Sequence, residues 1–174
     1  MSVFAPEVTT CPHCGTDEAR DVAQSVNAER SPALRQAVLD GDFQRPACGS
    51  CGERYEIAHP FIYIDLPRRQ WFGVYGLDDE PAWESLEHQA LEGWQLACGP
   101  GAPAIAREVG QGVRIRCVFG LTALREKLVC HDAGLDDGLL EVLKYRIALP
   151  ADGPPLSETN HLRLMEVSEH RLVF

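Results

Sequence analysis

The chain has 174 residues, 45% hydrophobic and 24% charged, with a formal charge of −10. This composition excludes a disordered or fibrous chain and allows one domain with a sizeable core, or a small module joined to a larger one. The negative charge disfavours general affinity for nucleic acid, and no apolar run approaches the roughly 20 residues that span a bilayer.

The charge imbalance is uneven. Residues 1–70 carry 7 basic and 10 acidic side chains, and residues 71–174 carry 9 and 16. The opening, MSVFAPEVTTCPHC, has neither a basic stretch nor a long apolar one, so the expected compartment is the cytoplasm, without membrane insertion. Seven cysteines in such a chain read as metal ligands or redox groups rather than a secreted disulfide framework.

The first predicted element is a knuckle, Cys11-Pro12-His13-Cys14-Gly15, and Cys48-Gly49-Ser50-Cys51-Gly52 repeats its pattern. Two intervening residues let the chain curl until both sulfurs face one ion. The trailing glycine tolerates the positive φ of so tight a turn. It also leaves backbone N–H groups free to approach the thiolates, a contact that stabilises a negatively charged shell. One such pair is weak evidence, but two with matching glycines predict a closed Cys₄ site of Cys11, Cys14, Cys48 and Cys51 around one structural Zn²⁺. A redox pair should open a helix after a strand, and neither pair does so; redox chemistry and iron are the alternatives. His13 is surplus as a ligand and reads as exposed.

The 33 residues between Cys14 and Cys48 exceed the ~15–20 of a compact ribbon, so something is inserted. Residues 20–27 predict a strand, and Ser31-Pro32 a helix start. Leu34, Val38 and Leu39 give that helix an apolar stripe, and Gly41 ends it. Tyr55–Ala58 and Phe61–Leu66 read as strands, Pro67-Arg68-Arg69 as a junction, and Trp71–Tyr75 as another strand before a turn. Glu80–Leu96 predicts a helix with Trp83, Leu86, Ala90, Leu91 and Trp94 on one period. After a Gly/Pro loop at 99–103, Val113–Phe119 alternates as a half-buried strand, and Leu121–His131 is helical. Asp136 and Asp137 then cap a helix whose buried face is read as Leu139, Leu140, Leu143 and Ile147. The tail, Leu162–Val167 and Arg171–Phe174, reads as a terminal hairpin beyond the break at Pro150–Pro155.

The two knuckles flank Val26-Asn27, Pro32-x-Leu34 and Leu39-x-Gly41-x-Phe43, and the Phe61-Ile62-Tyr63-Ile64-Asp65 run follows. Together these resemble the bacterial and archaeal CpXC domain family. The likeness continues through Leu124–Leu128 and Gly134-Leu135-Asp136-Asp137 to Glu141 and Lys144, covering roughly residues 8–147. Gly49 departs from the motif, which has proline there, while both sulfur positions survive. The resemblance implies a zinc-binding domain with no established biochemical activity.

Outside the knuckles, Asp136, Asp137, Glu141 and Lys144 are the remaining candidates for chemistry. Helix capping and an i,i+3 ion pair on an exposed face account for all four. Cys98, Cys117 and Cys130 lack metal spacing, as do His59, His88, His161 and His170. The adjacent Cys130-His131-Asp132 is no triad, because consecutive helical residues point apart. The fold class is therefore read as α+β, with a zinc-ribbon-like β module and inserted helix over residues 1–67. A mixed module over 68–174, continuous with the first, completes it. The function expected is a zinc-stabilised, non-catalytic protein-interaction or scaffold component. A nucleic-acid-associated regulator and a redox-responsive zinc switch are the alternatives.

Overall fold

The computed structural model describes residues 1–149, 153–154, 161–169 and 171–174. Two antiparallel strands, β1 (Val3–Thr10) and β2 (Asp17–Asn27), form a hairpin whose turn is the first knuckle. No sequence signal marks β1. Pro6 interrupts it, and Val3, Phe4 and Val8 stay exposed, so it lacks the alternation of a half-buried strand. It lies at the sheet's edge, where a missing N–H is tolerated.

From β2 the chain enters α1 (Pro32–Asp40), opened by Pro32 and closed by Gly41 in the left-handed conformation at φ 78°. Ser31 precedes it but does not cap it, since its hydroxyl bonds Ser2 instead. The second knuckle follows in an irregular loop. Tyr55–Ala58 is extended but joins no sheet, because Tyr55 and Ile57 donate their N–H groups to the carbonyls of Pro46 and Gln44. The strand expected there is thus replaced by a loop pinned to the chain just before the knuckle.

Apolar alternation then sets β3 (Phe61–Asp65), which runs parallel to β2 with Phe61, Tyr63 and Asp65 buried. β4 (Gln70–Tyr75) pairs antiparallel with β3, from Phe61↔Val74 to Asp65↔Gln70. A 3₁₀ turn over Leu77–Ala82 leads to α2 (Trp83–Cys98) and the short α3 (Ala104–Val109). The helix expected from Glu80 thus starts at Trp83, after Pro81. The chain returns as β5 (Arg114–Phe119), parallel to β4. The sheet order is β1-β2-β3-β4-β5. Asp65 at the end of β3 is wholly buried, 3.5 Å from Arg35 of α1 and 3.1 Å from Arg68. That carboxylate joins helix, strand and hairpin turn.

These elements make one unit, Met1–Leu121, and Thr122–Phe174 makes another. The junction read at residue 67 lies in the β3–β4 hairpin, whose ladder runs from one side of it to the other. In the second unit, α4 (Leu121–Asp132) and α5 (Asp137–Ala148) precede a short antiparallel hairpin, β6 (Glu166–Ser168) and β7 (Arg171–Val173). The break read at Pro150–Pro155 lies mostly outside the described residues. Cys130, Leu140 and Leu164 form the unit's core, with Val129, Val167, Leu172 and Phe174 against it. Of the four residues read as the buried face of α5, only Leu140 is buried. No helix among the described residues is long and apolar enough to cross a membrane.

Lys144 is the other buried residue of α5, not part of an exposed face, because it answers a buried charge. Its Nζ lies 2.7 Å from Glu126 Oε1 and 2.8 Å from Glu141. The other Glu126 oxygen accepts the Leu164 N–H at 2.9 Å, so one wholly buried carboxylate ties α4, α5 and the C-terminal segment together. Removing one partner of a buried pair leaves the other charge uncompensated, at a cost of about 3–5 kcal/mol. Glu126→Ala is therefore expected to destabilise the second unit by that order, read as lost hydrogen-exchange protection in α4 and α5. Glu126→Leu combined with Lys144→Met is expected to recover much of the loss; equal damage from both variants would show that an uncompensated charge is not the cause.

Candidate metal centre

The turn of the β1–β2 hairpin and the loop after α1 bring four sulfurs together. The Sγ atoms of Cys11, Cys14, Cys48 and Cys51 all lie within 4.8 Å of one another. Cys11 Sγ is 3.8 Å from Cys51 Sγ, and Cys14 Sγ is 3.6 Å from Cys48 Sγ. Four Zn–S bonds of about 2.3 Å in a tetrahedron separate sulfurs by about 3.8 Å. The spacing suits a tetrahedral ion, and all seven cysteines are free thiols. Among the described residues, no other group of His, Cys, Asp or Glu gathers in this way.

The two knuckles repeat each other bond for bond. Cys11 N–H donates to Thr16 O and Gly15 N–H to Cys11 O, at 2.9 and 2.8 Å. In the second, Cys48 N–H donates to Glu53 O and Gly52 N–H to Cys48 O, both at 2.9 Å. Gly15 and Gly52 take positive φ, 74° and 78°, as the turn requires. In each knuckle the first cysteine is buried and the second exposed. The buried sulfurs belong to a small core of Cys11, Val22, Cys48, Tyr55 and Ile57. His13 is exposed, as its surplus position implied.

Backbone N–H groups reach the sulfurs as well. Ser50 N–H lies 3.4 Å from Cys48 Sγ. The Thr16 hydroxyl, 3.3 Å from Cys14 Sγ, and the Thr16 N–H hold the Cys14 thiol down to about 6. Cys51 receives the Glu53 N–H, yet burial and the three neighbouring thiols push it up to about 12. The cluster releases its first proton readily and its last reluctantly, as adjacent like charges must.

Polar contacts register the second knuckle against β2. Glu18 Oε1 accepts the Gly49 N–H at 2.9 Å, and Arg20 bridges Glu18 and the Ala47 carbonyl at 2.6 and 2.8 Å. Arg20, with help from Gly49, holds the Glu18 carboxyl below the usual range. Gln44 accepts the Ala23 N–H at 2.7 Å, and Thr9 and Tyr55 share a hydroxyl bond of 2.9 Å. A Cβ on Gly49 would stand 2.5 Å from Glu18 Oε1. At the residue that departs from the motif, a side chain would thus oblige the Glu18 carboxylate to shift.

The other candidates are not drawn together. Asp136 caps α5, its Oδ1 accepting the Leu139 N–H at 3.0 Å, and Glu141 bonds Lys127 and Lys144 at 3.0 and 2.8 Å. Although partial desolvation opposes it, those two lysines hold the half-exposed Glu141 below the usual range. Burial raises the thiols of Cys98, Cys117 and Cys130, opposite to what a nucleophile needs. Cys130 Sγ faces the Leu135 carbonyl at 3.5 Å, away from any triad. Sequence reasoning missed Glu126, because it stands two residues from both Leu124 and Leu128 and so reads as off the apolar stripe.

Matched knuckles presenting four sulfurs beside a mixed sheet define a double-knuckle protein with a group able to hold a metal ion. The family model described as CpXC protein matches residues 9–144, most of the chain, and the chain belongs to that family. No match is found among curated proteins or solved structures.

Partners that orient a metal ligand typically contribute 10–100-fold to metal affinity. Glu18→Ala is expected to weaken metal retention by about that factor in a chelator competition. Gly49→Pro, which removes the N–H and crowds Glu18, should do the same. Because both act on one bond, the double variant should cost no more than either alone. Fully additive losses would mean that the Glu18–Gly49 contact does not support the site.

Proposed function

We propose that Cys11, Cys14, Cys48 and Cys51 hold one structural zinc ion, and that the unit it organises serves as a non-catalytic docking module for another protein. The observation that carries the first half is the tetrahedral spacing of four thiols with matched N–H support. Zinc would neutralise the thiolates and lock the two knuckles together. With four sulfur donors the shell is closed, leaving no position for substrate.

For the second half, the support is surface chemistry. Three of the ribbon's arginines are paired with acids: Arg20 with Glu18 at 2.6 Å, Arg45 with Glu56 at 2.7 Å and Arg54 with Asp42 at 2.9 Å. Paired arginines make a poor track for phosphates, which favours a protein partner over nucleic acid. A redox-responsive switch is the second reading, favoured by the exposure of Cys14 and Cys51.

Elemental analysis of protein purified without added metal is expected to give one zinc per chain and no visible absorbance. Cys48→Ser should lose the metal and expose the Asp42–Ala58 loop to proteolysis. Acid should release the zinc as protons compete for the sulfurs. Bound iron, or an intact loop in the metal-free protein, would refute the structural-zinc reading. Zinc release by peroxide much faster than from ordinary structural sites would favour the switch.

A further inference from the structure

The second unit carries an apolar surface that its core does not use. One side of α5 buries Leu140 and Lys144. On the other, Leu139, Val142, Tyr145 and Leu149 are 71%, 57%, 62% and 55% exposed. Spacings of three and four residues gather them into one stripe. Leu143 and Leu135, both partly exposed, widen and extend it. A surface helix normally turns polar residues to water on this side. Here Arg146 is the charged group on the stripe, exposed and without an ion-pair partner among the described residues.

We propose that this face is where two copies of the chain associate, with their α5 helices packed antiparallel. The charge pattern selects a second copy. α5 is acidic at its start, with Asp136 and Asp137, and carries Arg146 in its last turn. A two-fold axis passing near Glu141 lays Arg146 of one protomer over the Asp136–Asp137 turn of its partner, and the reverse. Antiparallel packing also sets each helix's positive end beside the other's negative end. A helix of 12 residues is about 18 Å long and ~10 Å wide, so its strip offers roughly 180 Å², short of the ~800 Å² per partner of a standard interface. The dimer is therefore weak and governed by concentration. The proposal goes beyond the zinc reading and is independent of it, since every residue involved lies in Thr122–Phe174.

Sedimentation equilibrium of the full chain tests it. The apparent mass is expected to rise from 19.2 kDa toward twice that value with concentration. Val142→Glu, at an exposed position, should abolish the rise with an unchanged circular-dichroism spectrum. Arg146→Glu should weaken dimerisation by about tenfold or more. A chain monomeric up to roughly 1 mM overturns the proposal. So does a dimer that folded Val142→Glu leaves intact. A monomer destabilised by Val142→Glu would assign the stripe to a contact within the chain, which also overturns it. The Cys48→Ser variant, tested alongside, separates the two readings: loss of zinc with dimerisation retained leaves this proposal standing.

Discussion

Four thiols gathered within 4.8 Å cannot all ionise unaided. The Cys14 thiol is held down to about 6, while the Cys51 thiol is pushed up to about 12. A bound metal ion would remove that conflict by neutralising the thiolates. Two of the five residues in the local core are themselves ligand candidates. The ligands of such an ion meet only in the folded loop, so binding it would stabilise that fold.

Away from the knuckles, buried carboxylates join elements within each unit. Asp65 gathers α1, β3 and the following turn, and Glu126 gathers α4, α5 and the segment at Leu164. Buried charge contributes little net stability, because desolvation offsets the attraction. Its effect is on geometry. Leucines at these places would tolerate many packings, whereas a carboxylate accepts few arrangements of its donors. Asp65 closes the Phe-Ile-Tyr-Ile-Asp run, and Glu126 lies inside Leu-Arg-Glu-Lys-Leu. Two of the segments that carried the family resemblance therefore contain a registering charge.

What was legible in the sequence is what short-range chemistry dictates. Knuckle spacing, the glycines with positive φ, the Pro32 start and the Asp136 cap each express a local requirement, and each stands where it was read. The misreadings involve choices that local pattern does not make. β1 escapes because an edge strand exposed on both faces has no alternation to show. Tyr55–Ala58 has strand composition, but its N–H groups are taken by the loop before the second knuckle. α5 has apolar residues on two sides. Periodicity says which residues share a side, not which side is inward; a lysine on the buried side, paired with Glu126 from α4, made the wrong choice look natural.

The Gly49 substitution shows why the cysteines alone understate the site. Proline in a knuckle restricts the turn by its own ring, while glycine leaves it loose. In this chain the lost restraint is replaced from outside: Glu18 on β2 takes the N–H that proline would lack, and Arg20 holds Glu18 and the Ala47 carbonyl together. A side chain at 49 would meet the carboxylate at 2.5 Å and oblige it to shift, loosening that contact. Rigidity has moved from within the knuckle to a contact between knuckle and sheet. The sulfur cluster is consequently coupled to the β1–β2 hairpin twice, through Cys11 and Cys14 at its turn and through Glu18 on its second strand. A strain applied to that hairpin by a bound partner would reach the sulfurs along both routes.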